Sequence, residues 1–288
     1  MMTRAWLILA DILVTLLLVG SLILFYLYPP QKTKQLTLPS AERNVSSDIY
    51  HLPSIDFNAT ITLEDLIRMG QEVRLRECII ENKYITRTLE EGLMLLSAKI
   101  GDPVFIRIFK EESLLEVWIR PGAEYQHLKD YAICAYSGGL GPKLAEGDRQ
   151  SPEGFYKVSK YQLNPNSKFH LSFNLGYPNK YDREYNRTGS FLMVHGNCVS
   201  DGCYAMTNAK MEEIYALVEG ALQKDQKVVW VHAYPFRMTE ANLALHSENE
   251  WHNFWINLKE GYDYFEAEHL PPGVKVEDKH YKIVETDQ

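Results

Sequence analysis

The chain has 288 residues, 45% of them hydrophobic, which is enough for one large domain or a domain with additions. Its formal net charge is -8, with 30 Lys and Arg against 38 Asp and Glu. That balance excludes an ordinary nucleic-acid binder, which presents a basic face.

Ala5 to Tyr28 are apolar apart from Asp11, Thr15, Gly20 and Ser21. About 24 helical residues reach roughly 36 Å, enough to span a bilayer. Leu22 to Tyr28 continue the run past Val19-Gly-Ser21, which loosely imitates a cleavage site. Residues 1–30 are therefore expected to form an uncleaved signal anchor, with membrane contact through residues 5–28; the alternative is a signal removed on export. Arg4 and the α-amine against Lys32 and Lys34 leave the orientation weakly specified. Residues 31–60 are polar and contain proline, as a linker would. A helical platform is expected over 61–100. There Thr62-x-x-Asp65 resembles a capping box, and Leu89, Leu93, Leu96 and Ile100 fall on one helical face.

From Val104 the period changes to two. Residues 104–109 and 114–119 read as a hairpin, and further strands are expected at 131–136, 154–161, 169–175, 190–195 and 228–234. One helix follows Thr207, with Met211, Ile214, Tyr215, Val218, Ala221 and Leu222 in helical register. Two more are expected: one capped near Thr239 and one across 248–260 carrying Trp251, Phe254, Trp255 and Leu258. The pattern is a mainly β domain with accessory helices, an α+β chain over 101–280, closed by a tail at 281–288.

The chemistry concentrates in Phe191-Leu-Met-Val-His-Gly-Asn-Cys-Val-Ser-Asp-Gly-Cys203. An apolar strand delivers His195, a tight segment with Gly196 and Gly202 follows, and Cys203 is read as lying on a strand-to-helix turn. Free N–H groups near a helix N-terminus would favour its thiolate. His195, folded back as base, and backbone amides aimed at an oxyanion complete a covalent-catalysis arrangement.

The same stretch, His-Gly followed by Ser-x-Gly-Cys, resembles the signature of the YkuD-type L,D-transpeptidases, cysteine enzymes that remodel peptidoglycan. Gly138-Gly-Leu-Gly-Pro-Lys143, Glu146-Gly-Asp148 and Ser151-Pro-Glu-Gly-Phe-Tyr156 resemble the segment leading into that domain in the YafK-like subgroup. The resemblance covers residues 100–280 and implies a β-sandwich catalytic domain that works without metal or organic cofactor. On it, Cys203 is the nucleophile, His195 the base, the Gly202 and Cys203 amides part of the oxyanion hole, and Ser200 the Ser/Thr of the motif. The implied partner is the peptidoglycan stem peptide, with a wall-linked lipoprotein as a further substrate, met by a periplasmic domain on the inner membrane. The chain departs from most of the family in its short His-to-Cys segment, in Asp201 where a histidine is usual, and in Ala205 where an arginine is usual. Asp201 and the short segment fit the subgroup; the missing arginine leaves carboxylate recognition unassigned.

Arg149 and Arg237 are candidates for that carboxylate, against the plainer reading of surface ion pairs. His170 sits in an alternating strand and would point into the same cleft, or be a satisfied strand histidine; His232 is read the same way. Tyr204, with Tyr177, Tyr181 and Tyr185, would line a groove. Of the four cysteines, Cys78 and Cys134 could form a disulfide but are more readily left unpaired, and Cys198 is structural or a resolving partner for Cys203. Two other classes stay open. One is a zinc-stabilised module built on His195, Cys198 and Cys203 with His232 or His170; the other is a wall-binding module with no reactive thiol.

Overall fold

The computed structural model describes residues 87–285. The expected anchor, the linker, most of the 61–100 platform and Cys78 lie outside those residues, and among the described ones no helix is long and apolar enough to cross a membrane. Of the platform, α1 (Leu89–Leu95) is described. Thr88 Oγ1 accepts the Glu91 N–H at 3.1 Å while the Glu91 carboxylate accepts the Thr88 N–H at 2.9 Å, a reciprocal cap. Soon after α1, Ser97 adopts φ 51, so Ile100 lies beyond the helix and is exposed, while Leu89, Leu93 and Leu96 pack on the core.

The chain then runs through β1 (Val104–Phe109), β2 (Leu114–Ile119), β3 (Gln126–Ala132), β4 (Gly154–Val158), β5 (Leu163–Ser167) and β6 (His170–Asn174). After α2 (Lys180–Glu184) come β7 (Met193–His195), β8 (Tyr204–Ala205), α3 (Asn208–Gln223) and β9 (Val229–Tyr234). It closes with α4 (Glu240–Leu245), α5 (His252–Glu268), β10 (Gly273–Glu277) and β11 (His280–Val284). A five-stranded sheet has the order β3-β2-β1-β9-β4, a four-stranded sheet the order β5-β6-β7-β8, and β10 and β11 form a hairpin.

Strand β1 is buried along its whole length because the larger sheet is covered on both faces. Val104, Ile106 and Ile108 share one core with Phe173, Val194 and Tyr204 of the smaller sheet region and with Met211, Ile214 and Val218 of α3. The alternate residues turn the other way, toward α5: Phe109 joins Tyr234, Phe254, Trp255, Leu258 and Tyr262, and Phe105 joins Phe265. The architecture is therefore α+β with mixed sheets. Two mixed sheets share a core with α3, and α5 lies on the far side of the larger sheet.

Several boundaries differ from the sequence pattern. β3 occupies 126–132 rather than 131–136, since Gln126, His127, Lys129 and Asp130 break the apolar alternation and are held instead by pairs such as Lys129 with Glu213 at 2.7 Å. β5 carries Pro165 and a register shift against β6, which hides it from a period-two reading. The first half of the expected 281–288 tail, residues 281–284, belongs to β11, and its Tyr281 is buried.

Candidate active site

β7 lies antiparallel to β6, with Ser172 opposite His195, and parallel to β8, with Val194 opposite Tyr204 and His195 opposite Ala205. Side chains alternate along a strand, so the fully buried Val194 and Tyr204 turn into the core while Met193 and His195 face the other way. Cys203, one residue before Tyr204, shares that second face. The Met193 N–H donates to Cys203 Sγ at 3.4 Å, and the thiol in turn donates to the Phe191 carbonyl at 3.5 Å. Cys203 and His195 are thus diagonal neighbours across a two-strand ledge.

His195 Nδ1 lies 2.5 Å from its neighbour's Gly196 carbonyl. A carbonyl only accepts, so Nδ1 carries the proton and Nε2 keeps its lone pair. The Phe169 ring stacks on the imidazole at 4.6 Å. Burial pushes the imidazole below its ordinary pKa, opposed by the Gly196 carbonyl. Burial also pushes the Cys203 thiol up, with the Met193 amide opposing. Both shifts favour the neutral forms. Cys203 does not sit at the helix N-terminus expected to favour its thiolate: β8 stands between it and α3, and the helix is capped by Thr207, whose hydroxyl accepts from Lys210 N.

The loop carrying the thiol is held by a directional chain of hydroxyls. The Gly202 N–H donates to Ser137 Oγ at 2.6 Å, Ser137 and Ser200 hydroxyls meet at 3.1 Å, and Ser200 Oγ donates to the Cys203 carbonyl at 2.7 Å. Ser151 Oγ donates to the same carbonyl at 3.1 Å and accepts the Ser137 N–H at 3.2 Å. The Gly202 amide, expected in an oxyanion hole, is thus taken by Ser137, which leaves the Cys203 amide of the two proposed donors. Gly202 itself sits at φ 101, and a Cβ there would meet Leu192 Cδ1 at 2.9 Å.

The upstream glycine segment is braced rather than catalytic. Lys110 Nζ, fully buried, bonds the carbonyls of Gly139 and Gly141 and the carboxylate of Glu153. Glu153 also accepts the Gly141 N–H and the Trp255 indole N–H. Gln150 bridges the same two carbonyls, at 2.7 Å each.

The remaining predicted residues divide sharply. Arg149 is exposed, its Nε 3.6 Å from the equally exposed Asp201 in the loop before Cys203. Arg237 does not belong to the site: its guanidinium bonds Glu116 at 2.6 Å and lies over the Phe109 ring on the α5 side of the larger sheet. Tyr204 lines no groove, being fully buried with its hydroxyl on the Pro152 carbonyl. Tyr177 is buried too, its hydroxyl on the Lys143 carbonyl. His170 turns to Glu212 on α3, at 2.8 Å. His232 is a core residue between the Phe105 and Phe155 rings. Cys134 is bonded to Cys198, not to Cys78, because the chain after β3 pairs with Ala205 and brings the two Cα atoms to 5.2 Å. That bond removes Cys198 both from a zinc set and as a resolving partner, and leaves Cys203 as the free cysteine among the described residues. Glu116, His127 and Asp130 bring ligand atoms within 4.8 Å of one another, but Glu116 is already occupied by Arg107, Arg237 and the Trp118 indole. Phe169, Ser137 and Lys110 escaped sequence reading, since nothing local marks a hairpin-tip phenylalanine as facing His195, a loop serine as facing the thiol loop or a strand-end lysine as facing the glycine segment.

Comparison with known proteins supplies the frame for this geometry. Residues 103–259 match the family model YkuD, the L,D-transpeptidase catalytic domain. The Escherichia coli (strain K12) protein YafK is 50% identical over 184 residues, covering 64% of this chain and 75% of YafK. Among solved structures, the helical cell shape determining protein Pgp2 from Campylobacter jejuni aligns at 18% identity with a TM-score of 0.37, covering 66% of this chain and 81% of Pgp2. With its thiol and imidazole on one strand ledge inside the matched span, this chain belongs to the YkuD family of L,D-transpeptidase catalytic domains.

Proposed function

We propose that the protein is a cysteine-dependent acyl-transfer enzyme acting on amide bonds of peptidoglycan stem peptides in the periplasm, anchored to the inner membrane through residues 5–28. The observation that carries this is the placement of Cys203 and His195 on one face of the β7–β8 pair, with Nδ1 tied to Gly196 so that Nε2 is the basic nitrogen. A neutral resting pair means that Nε2 takes the thiol proton as sulfur attacks the carbonyl. The imidazolium then protonates the departing amine, leaving a thioester on Cys203. The Cys203 amide faces the oxyanion, a donor typically worth on the order of 10²–10³ in rate. Arg149, at the rim, is the candidate partner for a substrate carboxylate.

Transfer and hydrolysis share every step up to the thioester and differ in whether the acceptor side excludes water. Ala205 replaces the family's usual arginine and the His-to-Cys segment is short, so the acceptor side holds an amine weakly. The reading therefore favours hydrolysis, including release of a wall-linked lipoprotein, over cross-linking. The test is the full-length protein in detergent with cross-linked or lipoprotein-bearing sacculi in ¹⁸O-water. Label in a freed carboxylate supports hydrolysis; unlabelled amine adducts would show transfer instead.

A further inference from the structure

A second concavity, of about 500 Å³, opens between α2, the start of α5 and the β10–β11 hairpin. Its walls include Tyr181, Tyr185, Arg187, Trp251, Asn253 and Phe254. Arg187 organises them. Its side chain is 4% exposed, its carbon Cζ lies 5.1–5.3 Å from the ring centres of Tyr181, Tyr185 and Phe254, and Nη1 donates to Asp182 at 2.9 Å. Its Nε is enclosed without a partner. Tyr181 is stacked in turn on Tyr281 at 4.2 Å, so the aromatic wall is fixed before any ligand arrives.

Charges here are balanced: Arg187 is matched by Asp182, and Lys279 and Glu250 both line the opening. A strongly anionic ligand has no advantage in such a place. Rigid aromatic faces interleaved with amide and guanidinium groups suit a ligand with flat C–H faces and polar edges, which is the chemistry of a sugar ring. We infer that this cavity is a glycan subsite, taking the amino-sugar backbone from which a stem peptide hangs.

Its position fits. Arg187 is four residues from Phe191, at most about 14 Å of extended chain. The Phe191 carbonyl touches the Cys203 thiol at 3.5 Å. A three-residue stem peptide, roughly 10 Å when extended, covers a comparable span. The Thr188 N–H bonds the Leu144 carbonyl, tying this wall to the braced segment beside the nucleophile. The choice of glycan rests on the peptidoglycan reading; the cavity's binding can be measured without it.

The experiment uses full-length Cys203→Ala protein in detergent, titrated by calorimetry with peptide-free glycan strands and, separately, with free stem peptide. Glycan should bind. Tyr185→Ala and Asn253→Ala should weaken it by about two- to tenfold, the range of one aromatic contact, while Tyr185→Phe retains it. Free stem peptide should bind all variants alike. Absence of glycan binding, no effect of either variant, or equal weakening of the stem peptide would overturn the assignment. With Cys203 restored, sacculi left uncut although glycan binds would sink the proposed reaction and leave the subsite standing; the converse would sink the subsite alone. Thermal melts matching the parent protein verify that the exposed Tyr185 and Asn253 variants fold.

Discussion

Ser137→Ala is the sharpest probe of the loop carrying the Cys203 thiol. Ser137 Oγ accepts from Gly202 N–H at 2.6 Å and, having one proton, donates to Ser200 Oγ at 3.1 Å, which passes its own proton to the Cys203 carbonyl at 2.7 Å. Removing the hydroxyl orphans the amide of the buried Gly202. A buried unsatisfied group costs about 1–3 kcal/mol, and the half-buried position of Ser137 lets water recover part of it, so we expect about 1–2 kcal/mol. In a domain of this size that lowers Tm by roughly 2–8 °C. The Cys203 carbonyl keeps Ser151 at 3.1 Å, so the loop should stay folded but lose registration. One donor displaced by this energy lowers kcat/KM by about tenfold. The chain also makes the serines interdependent: Ser137→Ala with Ser200→Ala should fall short of the sum of the single losses by about 0.5–1 kcal/mol. Calorimetric melts and a thioester-release assay on the four proteins decide the matter. Additive losses, or an unchanged Tm in Ser137→Ala, would refute the hydroxyl chain.

Cys203→Ser should fold normally and lose activity, while the paired Cys134→Ser/Cys198→Ser variant should keep a labelable thiol and most of its activity in the cold but melt earlier, by up to about 4 kcal/mol for a loop of this length. Retained activity in Cys203→Ser would reverse the assignment of the nucleophile. His232, fully buried with its pKa held well below the ordinary value by burial and by Arg107, resists protonation when folded. Below about pH 6.5 the unfolded chain binds a proton that the folded one refuses, so stability should fall with decreasing pH, by at most about 1.4 kcal/mol per unit for this group. Urea midpoints at pH 7 and 5 check this, and a slope unchanged in His232→Phe would contradict it. The acid limb of kcat/KM should likewise lie below pH 6.5, because His195 is depressed in the same direction; a limb above that value would count against a buried neutral base.

Signals confined to neighbouring residues were legible in the amino-acid order. The period-two runs at 104–109 and 114–119 and the Thr207 and Thr239 caps rest on local backbone chemistry, and β1, β2, α3 and α4 stand where that chemistry puts them, whereas β8 between Cys203 and α3 was not legible. Strands whose alternation is masked by polar pairs or proline, such as β3 and β5, were not legible, because their side chains are satisfied by partners far along the chain. The partner of Cys134 was open for the same reason: only the pairing of the chain after β3 with Ala205 brings Cys198 to it. Arg149 and Arg237 look alike as sequence, yet one ends in water beside Asp201 and the other under α5 on Glu116. The setting of the Cys203 thiol was likewise decided by tertiary structure. A cysteine read as sitting at a helix start is instead followed by a strand, and desolvation, which depends on what packs around the thiol from the whole fold, pushes its pKa up.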